Sequence, residues 1–193
     1  MVQSTGSKKI KTAVFISGTG SNLRSLIKFS KSKICPISIE IIISNNSKSK
    51  GLEIGKFYKI KRKVYKFKNH LLAEKKILIE LKTNKIKLIC LAGFMKVLSK
   101  NFINNYNGKI LNIHPSLLPK YKGLNTHEKV IKNKDKYSGC TVHYVSAKLD
   151  SGKIINQKKI RIYKSDTPRS LAKRILAQEH KLYPEAILKI FSL

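Results

Sequence analysis

The segment Asn112-Ile113-His114-Pro115 sets an amide and an imidazole two residues apart where an apolar run ends. At a strand end, side chains at i and i+2 point to the same side, so Asn112 and His114 would face one pocket. Pro115 holds the residue before it in the extended region, which limits the directions open to His114. An amide N–H can hydrogen-bond an oxygen that gains charge, and an imidazole moves protons near neutral pH, so the pair suits acyl transfer. Asp150 is one of only 10 acidic residues. It could favour the imidazolium and orient the ring, although Leu149-Asp150-Ser151-Gly152 by itself reads as an ordinary turn.

Three further segments could bind ligands. Ser17-Gly18-Thr19-Gly20-Ser21-Asn22 is a glycine-rich turn between a strand pattern and a helix pattern, where free backbone N–H groups and a positive helix end favour a phosphate. The dinucleotide fingerprint is excluded because Leu23 stands at its third glycine and Ser44-Asn45-Asn46 supplies no acid for a ribose. No Gly-Lys-Ser/Thr of a P-loop occurs either. A monophosphate fits best, and the alternative is a tight turn with Ser21 or Asn22 capping the helix. Leu91-Ala92-Gly93-Phe94-Met95-Lys96-Val97-Leu98 could clasp a flat heterocycle or pack the next helix. Glu179, on the face of the final helix marked by Leu171, Ile175, Leu176 and Leu182, could accept sugar hydroxyls, though alone it reads as an exposed, salt-bridging glutamate.

These segments need a scaffold, and the chain alternates short apolar runs with longer helical patterns. Strands are predicted at 12–17, 37–44, 63–67, 88–92 and 109–113, with helices at 21–31, 51–59, 71–82 and 99–106. A short helix follows near 126–133, and then two strands, 139–145 and 153–162, which suit an antiparallel pair. Asp166-Thr167-Pro168 opens a long last helix towards Phe191, with a kink or break expected at Pro184. The pattern predicts an α/β fold: an open, mostly parallel twisted sheet with helices on both faces, antiparallel strands near its C-terminal part and a long C-terminal helix. Such sheets bind ligands beyond their strand C-termini. A single domain is expected, preceded by a loose polar tail of about ten residues.

The composition sets outer bounds. A chain of 193 residues with 41% apolar residues can bury a real core. No run of about 20 apolar residues occurs, so a soluble, cytoplasmic protein is expected with no membrane partner. Cys35, Cys90 and Cys140 suit neither a disulfide framework nor a metal site. The net charge of +31 would fit a nucleic-acid binder. Yet only five of the 41 basic residues are arginine and the lysines are spread along the chain, which favours compositional bias over specific nucleic-acid recognition.

Together, SGTGSNL, LAGFMKVLS, ILNIHPSLLPKYKG, GCTVHYV, LDSGKII and QEHKLYP resemble, in content and order, the phosphoribosylglycinamide formyltransferase family of folate-dependent enzymes. The resemblance implies transfer of a formyl group from 10-formyltetrahydrofolate to the glycinamide amine of 5′-phosphoribosylglycinamide, a step of purine biosynthesis that requires no metal. It implies Asn112, His114 and Asp150 as the catalytic set, Gly20, Ser21 and Asn22 at the substrate phosphate, and Glu179 at its ribose. For the folate it implies Met95, Lys96, Val97, Leu98 and Asn112 with the loop Ser146, Ala147, Lys148, Leu149 and Asp150, and His70 where relatives carry an arginine. Small molecules are then the partners, and a monomer or weak homodimer is expected. The alternatives are a sister folate formyltransferase, a formyltetrahydrofolate hydrolase or a basic nucleic-acid-binding module. The first two usually carry an extra domain, for which 193 residues leave no room.

Overall fold

A computed structural model describes residues 9–191. The expected N-terminal tail falls mostly on residues 1–8, outside the described residues, and Ile10 already opens the first strand. The strands are β1 (Ile10–Ile16), β2 (Ile37–Ser44), β3 (Lys61–Val64), β4 (Leu88–Leu91), β5 (Lys109–His114), β6 (Tyr137–Tyr144) and β7 (Ile154–Arg161). The helices are α1 (Ser21–Ser30), α2 (Gly51–Phe57), α3 (His70–Thr83), α4 (Lys100–Asn105), α5 (Thr126–Lys132) and α6 (Pro168–Phe191). One sheet of order β3-β2-β1-β4-β5-β6-β7 results, parallel from β3 to β5 and antiparallel from β5 to β7. The chain runs outward from β1 to β3 and then returns to β1's other side as β4. That reversal makes the β1/β4 boundary a topological switch point, the place where such sheets open a ligand crevice.

The central strands are apolar on both faces because helices cover both. Val14 and Ile16 of β1 pack with Leu23, Leu26, Leu171, Ile175 and Ile187 from α1 and α6. Ala13 and Phe15, their alternating neighbours, pack with Ile77 and Leu81 of α3 and Phe102 of α4. No helix among the described residues is long and apolar enough to cross a membrane.

Beyond shifts of one or two residues at element ends, two features differ from the sequence expectation. β3 starts and ends earlier than 63–67, because its register pairs Lys61 with Ile41 and Val64 with Ser44, the last residue of β2. Phe67, freed from the ladder, packs on the α3 side of the core. Pro184 neither breaks nor ends α6. A proline at 184 cannot bond the carbonyl of residue 180, and the Ser25 hydroxyl of α1 donates to that His180 carbonyl at 2.8 Å. The orphaned acceptor becomes an interhelix contact.

Candidate active site

The C-terminal ends of β1, β4 and β5 open into a cavity of about 1170 Å³. Its α1 side is built from backbone. Gly20 stands at the N-cap of α1 with φ 77°, and no side chain caps the helix. Neither Ser21 nor Asn22 acts as the cap that the alternative reading of this turn allowed, since both lie within the first turn; the early N–H groups of α1 therefore keep their hydrogen-bonding capacity. A Cβ at Gly20 would come within 2.6 Å of the Gly51 Cα, so the turn packs directly on the start of α2. Beside it, Asn22 Nδ2 donates to Glu179 Oε2 at 2.7 Å. Glu179 is 7% exposed, not the surface glutamate its sequence suggested. Burial raises its carboxyl pKa against the lowering effect of the Asn22 bond. The buried Asn22 Oδ1 has no protein partner, leaving an acceptor beside this carboxylate.

Across the cavity, strand alternation brings Asn112 and His114 to the same side of β5. His114 Nε2 lies 2.9 Å from the Tyr121 carbonyl, and since a carbonyl can only accept, Nε2 carries the hydrogen. Nδ1 then faces Asp150 Oδ2 at 3.4 Å. The Gly123 N–H donates to the same carboxylate oxygen at 2.9 Å. Asp150 adopts φ 45°, a left-handed conformation that the turn after Leu149 imposes.

A fourth group joins them from β6. The antiparallel register sets His143 directly opposite Asn112. His143 Nδ1 lies 2.8 Å from the Tyr144 carbonyl, so the hydrogen sits there and Nε2 accepts from Asn112 Nδ2 at 3.2 Å. The second Asn112 amide contact, to Asp150 Oδ1, is long at 3.5 Å. One amide hydrogen is thus held while the other is loosely engaged and free for a ligand.

The electrostatics separate the acid from the base. Burial lowers the His114 pKa, outweighing the Tyr121 carbonyl and the Asp150 charge that raise it, and the nearby His143 lowers it further. Burial pushes the Asp150 carboxyl up, but contacts with His143 and the Gly123 N–H, together with the His114 charge, bring it below its ordinary value. Near pH 7, His114 is a neutral base beside an ionised carboxylate.

Other sequence-singled residues divide. Met95, Lys96, Val97, Leu98, Ser146 and Leu149 line the cavity. His70, Gly20, Ala147 and Lys148 do not. His70 instead opens α3, with Nε2 3.4 Å from Glu74 Oε1 and its ring 5.0 Å from Phe67. Sequence reasoning missed His143, the Tyr121 carbonyl and His127, whose buried Nδ1 lacks a protein partner within the cavity wall. His143 stands in GCTVHYV, and only the β5/β6 register, a long-range property, shows that it meets Asn112.

The chain belongs to the formyl transferase family, whose model, described as "Formyl transferase", matches residues 10–187. More particularly, it is similar to the phosphoribosylglycinamide formyltransferase of Haemophilus influenzae, 41% identical over 180 residues that cover 92% of this chain and 85% of that protein. The solved phosphoribosylglycinamide formyltransferase of Brucella melitensis superposes with a TM-score of 0.89 at 40% identity, covering 95% of this chain and 96% of that one. The human trifunctional purine biosynthetic protein adenosine-3 is 40% identical over 188 residues, covering 96% of this chain. The chain spans only 19% of that larger protein's length.

Proposed function

We propose that this protein transfers the formyl group of 10-formyltetrahydrofolate to the glycinamide amine of 5′-phosphoribosylglycinamide. The observation that carries this reading is the convergence of Asn112, His114 and Asp150 on one cavity. The other walls complement the two substrates. The uncapped start of α1 at Gly20, Ser21 and Asn22 suits the phosphate, and the buried Glu179 suits ribose hydroxyls. Met95, Lys96, Val97 and Leu98, with Ser146 and Leu149 opposite, suit the flat heterocycle of the folate.

With Nε2–H held by Tyr121, Nδ1 is the His114 nitrogen that exchanges a proton. The neutral amine attacks the formyl carbon, a C–N bond forms, and the carbonyl electrons move to oxygen. The free Asn112 N–H hydrogen-bonds that oxygen. His114 Nδ1 takes the proton released by the new cationic nitrogen, and Asp150 stabilises the imidazolium. Collapse of the tetrahedral species breaks the bond to the folate nitrogen, which leaves with the proton from His114. A lost oxyanion donor of this kind typically costs about 3 to 4 kcal/mol.

The test mixes the purified protein with both substrates and follows the absorbance change as the folate loses its formyl group. Transfer by wild type and its loss in His114→Ala, with the melting transition retained, is the expected outcome. No transfer, or undiminished transfer by His114→Ala, would overturn the proposal.

A further inference from the structure

The loop between β5 and α5 touches both members of the acid–base pair through one short turn. Tyr121 supplies the carbonyl 2.9 Å from His114 Nε2, and Gly123, just beyond it, supplies the N–H that donates to Asp150 Oδ2 at 2.9 Å. Both residues are left-handed, with φ 55° and 76°. Glycine takes that conformation freely but tyrosine does not, so Tyr121 needs an anchor. Its hydroxyl donates to Asp135 Oδ2 and accepts from Asn133 Nδ2, each at 2.9 Å. Both anchors are pinned to α5 in turn: the Asn133 N–H donates to the Lys129 carbonyl at 3.0 Å, and the Asp135 N–H to the Val130 carbonyl at 3.2 Å. Neither Tyr121 nor Asp135 lines the cavity.

A neutral imidazole carries one ring hydrogen, and two acceptors compete for that of His114. The Tyr121 carbonyl lies 2.9 Å from Nε2, whereas Asp150 Oδ2 lies 3.4 Å from Nδ1. The closer carbonyl keeps the hydrogen on Nε2. Were it to withdraw, the carboxylate would draw the hydrogen to Nδ1, and the nitrogen that takes the amine's proton would already be occupied. We propose that Tyr121 is a positioning residue, anchored through Asp135 and Asn133, whose carbonyl fixes the His114 tautomer that makes Nδ1 the base. The kinetic consequence rests on the formyl-transfer reading above; the tautomer does not.

The experiment records nitrogen NMR of the histidine rings at a pH where they are neutral, with His114→Ala as the assignment control. Beside it, kcat and both KM values are followed across pH for wild type, Tyr121→Phe, Asp135→Ala and Asp135→Asn. Wild type should show the Nε2–H tautomer, and Tyr121→Phe and Asp135→Ala should shift His114 towards Nδ1–H. Their kcat should fall about fivefold, the worth of one neutral hydrogen bond, while both KM values hold. Asp135→Asn keeps the acceptor and should stay near wild type. The Tyr121 carbonyl raises the His114 pKa, so loosening it in Tyr121→Phe should move the acid limb of kcat to lower pH. Asp150, His143, His127 and Lys129, the titratable groups around His114, stay in place in that variant. An Nδ1–H tautomer in wild type overturns the proposal. So does an unshifted tautomer in Tyr121→Phe, whether kcat is unchanged or falls with its acid limb unmoved. Absence of transfer by wild type overturns the formyl-transfer reading instead, and the spectra, which need no turnover, still decide the tautomer.

Discussion

The held amide of Asn112 makes His143 a positioning residue, and a double-mutant cycle measures that role. His143 is 2% exposed, and its Nε2 accepts from Asn112 Nδ2 at 3.2 Å. Removing this acceptor frees the amide to rotate, at a cost near that of one neutral hydrogen bond, about 1 kcal/mol. His143→Ala should therefore lower kcat about fivefold. Asn112→Ala removes the oxyanion donor itself and should lower kcat by about 10²- to 10³-fold. If His143 acts through Asn112, the double variant should match Asn112→Ala within a few-fold, because no amide is left to orient. His143→Gln, which retains an acceptor oxygen, should lose less than His143→Ala. The assay is folate absorbance at saturating substrates, with kcat taken well below each variant's melting transition, since the alanine leaves a cavity in the sheet. Effects that multiply in the double variant would refute the reasoning and assign His143 an independent role.

Three other outcomes are expected. Gly20→Ala should cost about 2 kcal/mol or more in urea unfolding and raise KM for the phosphorylated substrate. It places a Cβ 2.6 Å from the Gly51 Cα at φ 77°, and left-handed backbone alone costs about 1–2 kcal/mol for an L-residue. Glu179→Gln should raise the melting temperature by relieving a buried charge while raising KM for phosphoribosylglycinamide about tenfold, since the carboxylate is kept for its hydroxyls. Stability should fall as pH drops below about 6.5, because burial lowers the pKa of His114, His127 and His180 and the folded state binds their protons more weakly than the unfolded chain does. Each contributes a slope of at most about 1.4 kcal/mol per pH unit. Glu179, with its pKa raised by burial, works in the opposite sense, so urea unfolding at several pH values should show a steeper loss in Glu179→Gln.

The scaffold was legible because its signals are local. Apolar runs bounded by Gly, Pro and Asn mark the strands, and the i, i+2 spacing of Asn112 and His114 already aims them at one side. What escaped depends on contacts between distant segments. Ser21 and Asn22 look like caps, but packing on Gly51 places Gly20 at the helix start instead. Pro184 looks like a breaker until Ser25 satisfies the exposed carbonyl. Asp150 reads as a turn residue and Glu179 as a surface acid; their burial appears only once β5 faces β6 and α6 lies against α1. His143 carries no local mark at all.

The hydrogen bond from Asn22 to Glu179 joins residues 157 apart in sequence. It has a temporal consequence. As the chain emerges during synthesis, the turn after β1 is made early, whereas its carboxylate partner arrives with the last helix. Until α6 docks, the sugar end of the cavity lacks its acid and Tyr183 cannot reach the Leu91 and Leu111 carbonyls beneath the site. A nascent chain can therefore assemble much of its sheet before it can hold the ribosyl substrate. Ligand affinity should then report completion of folding, appearing last and all at once.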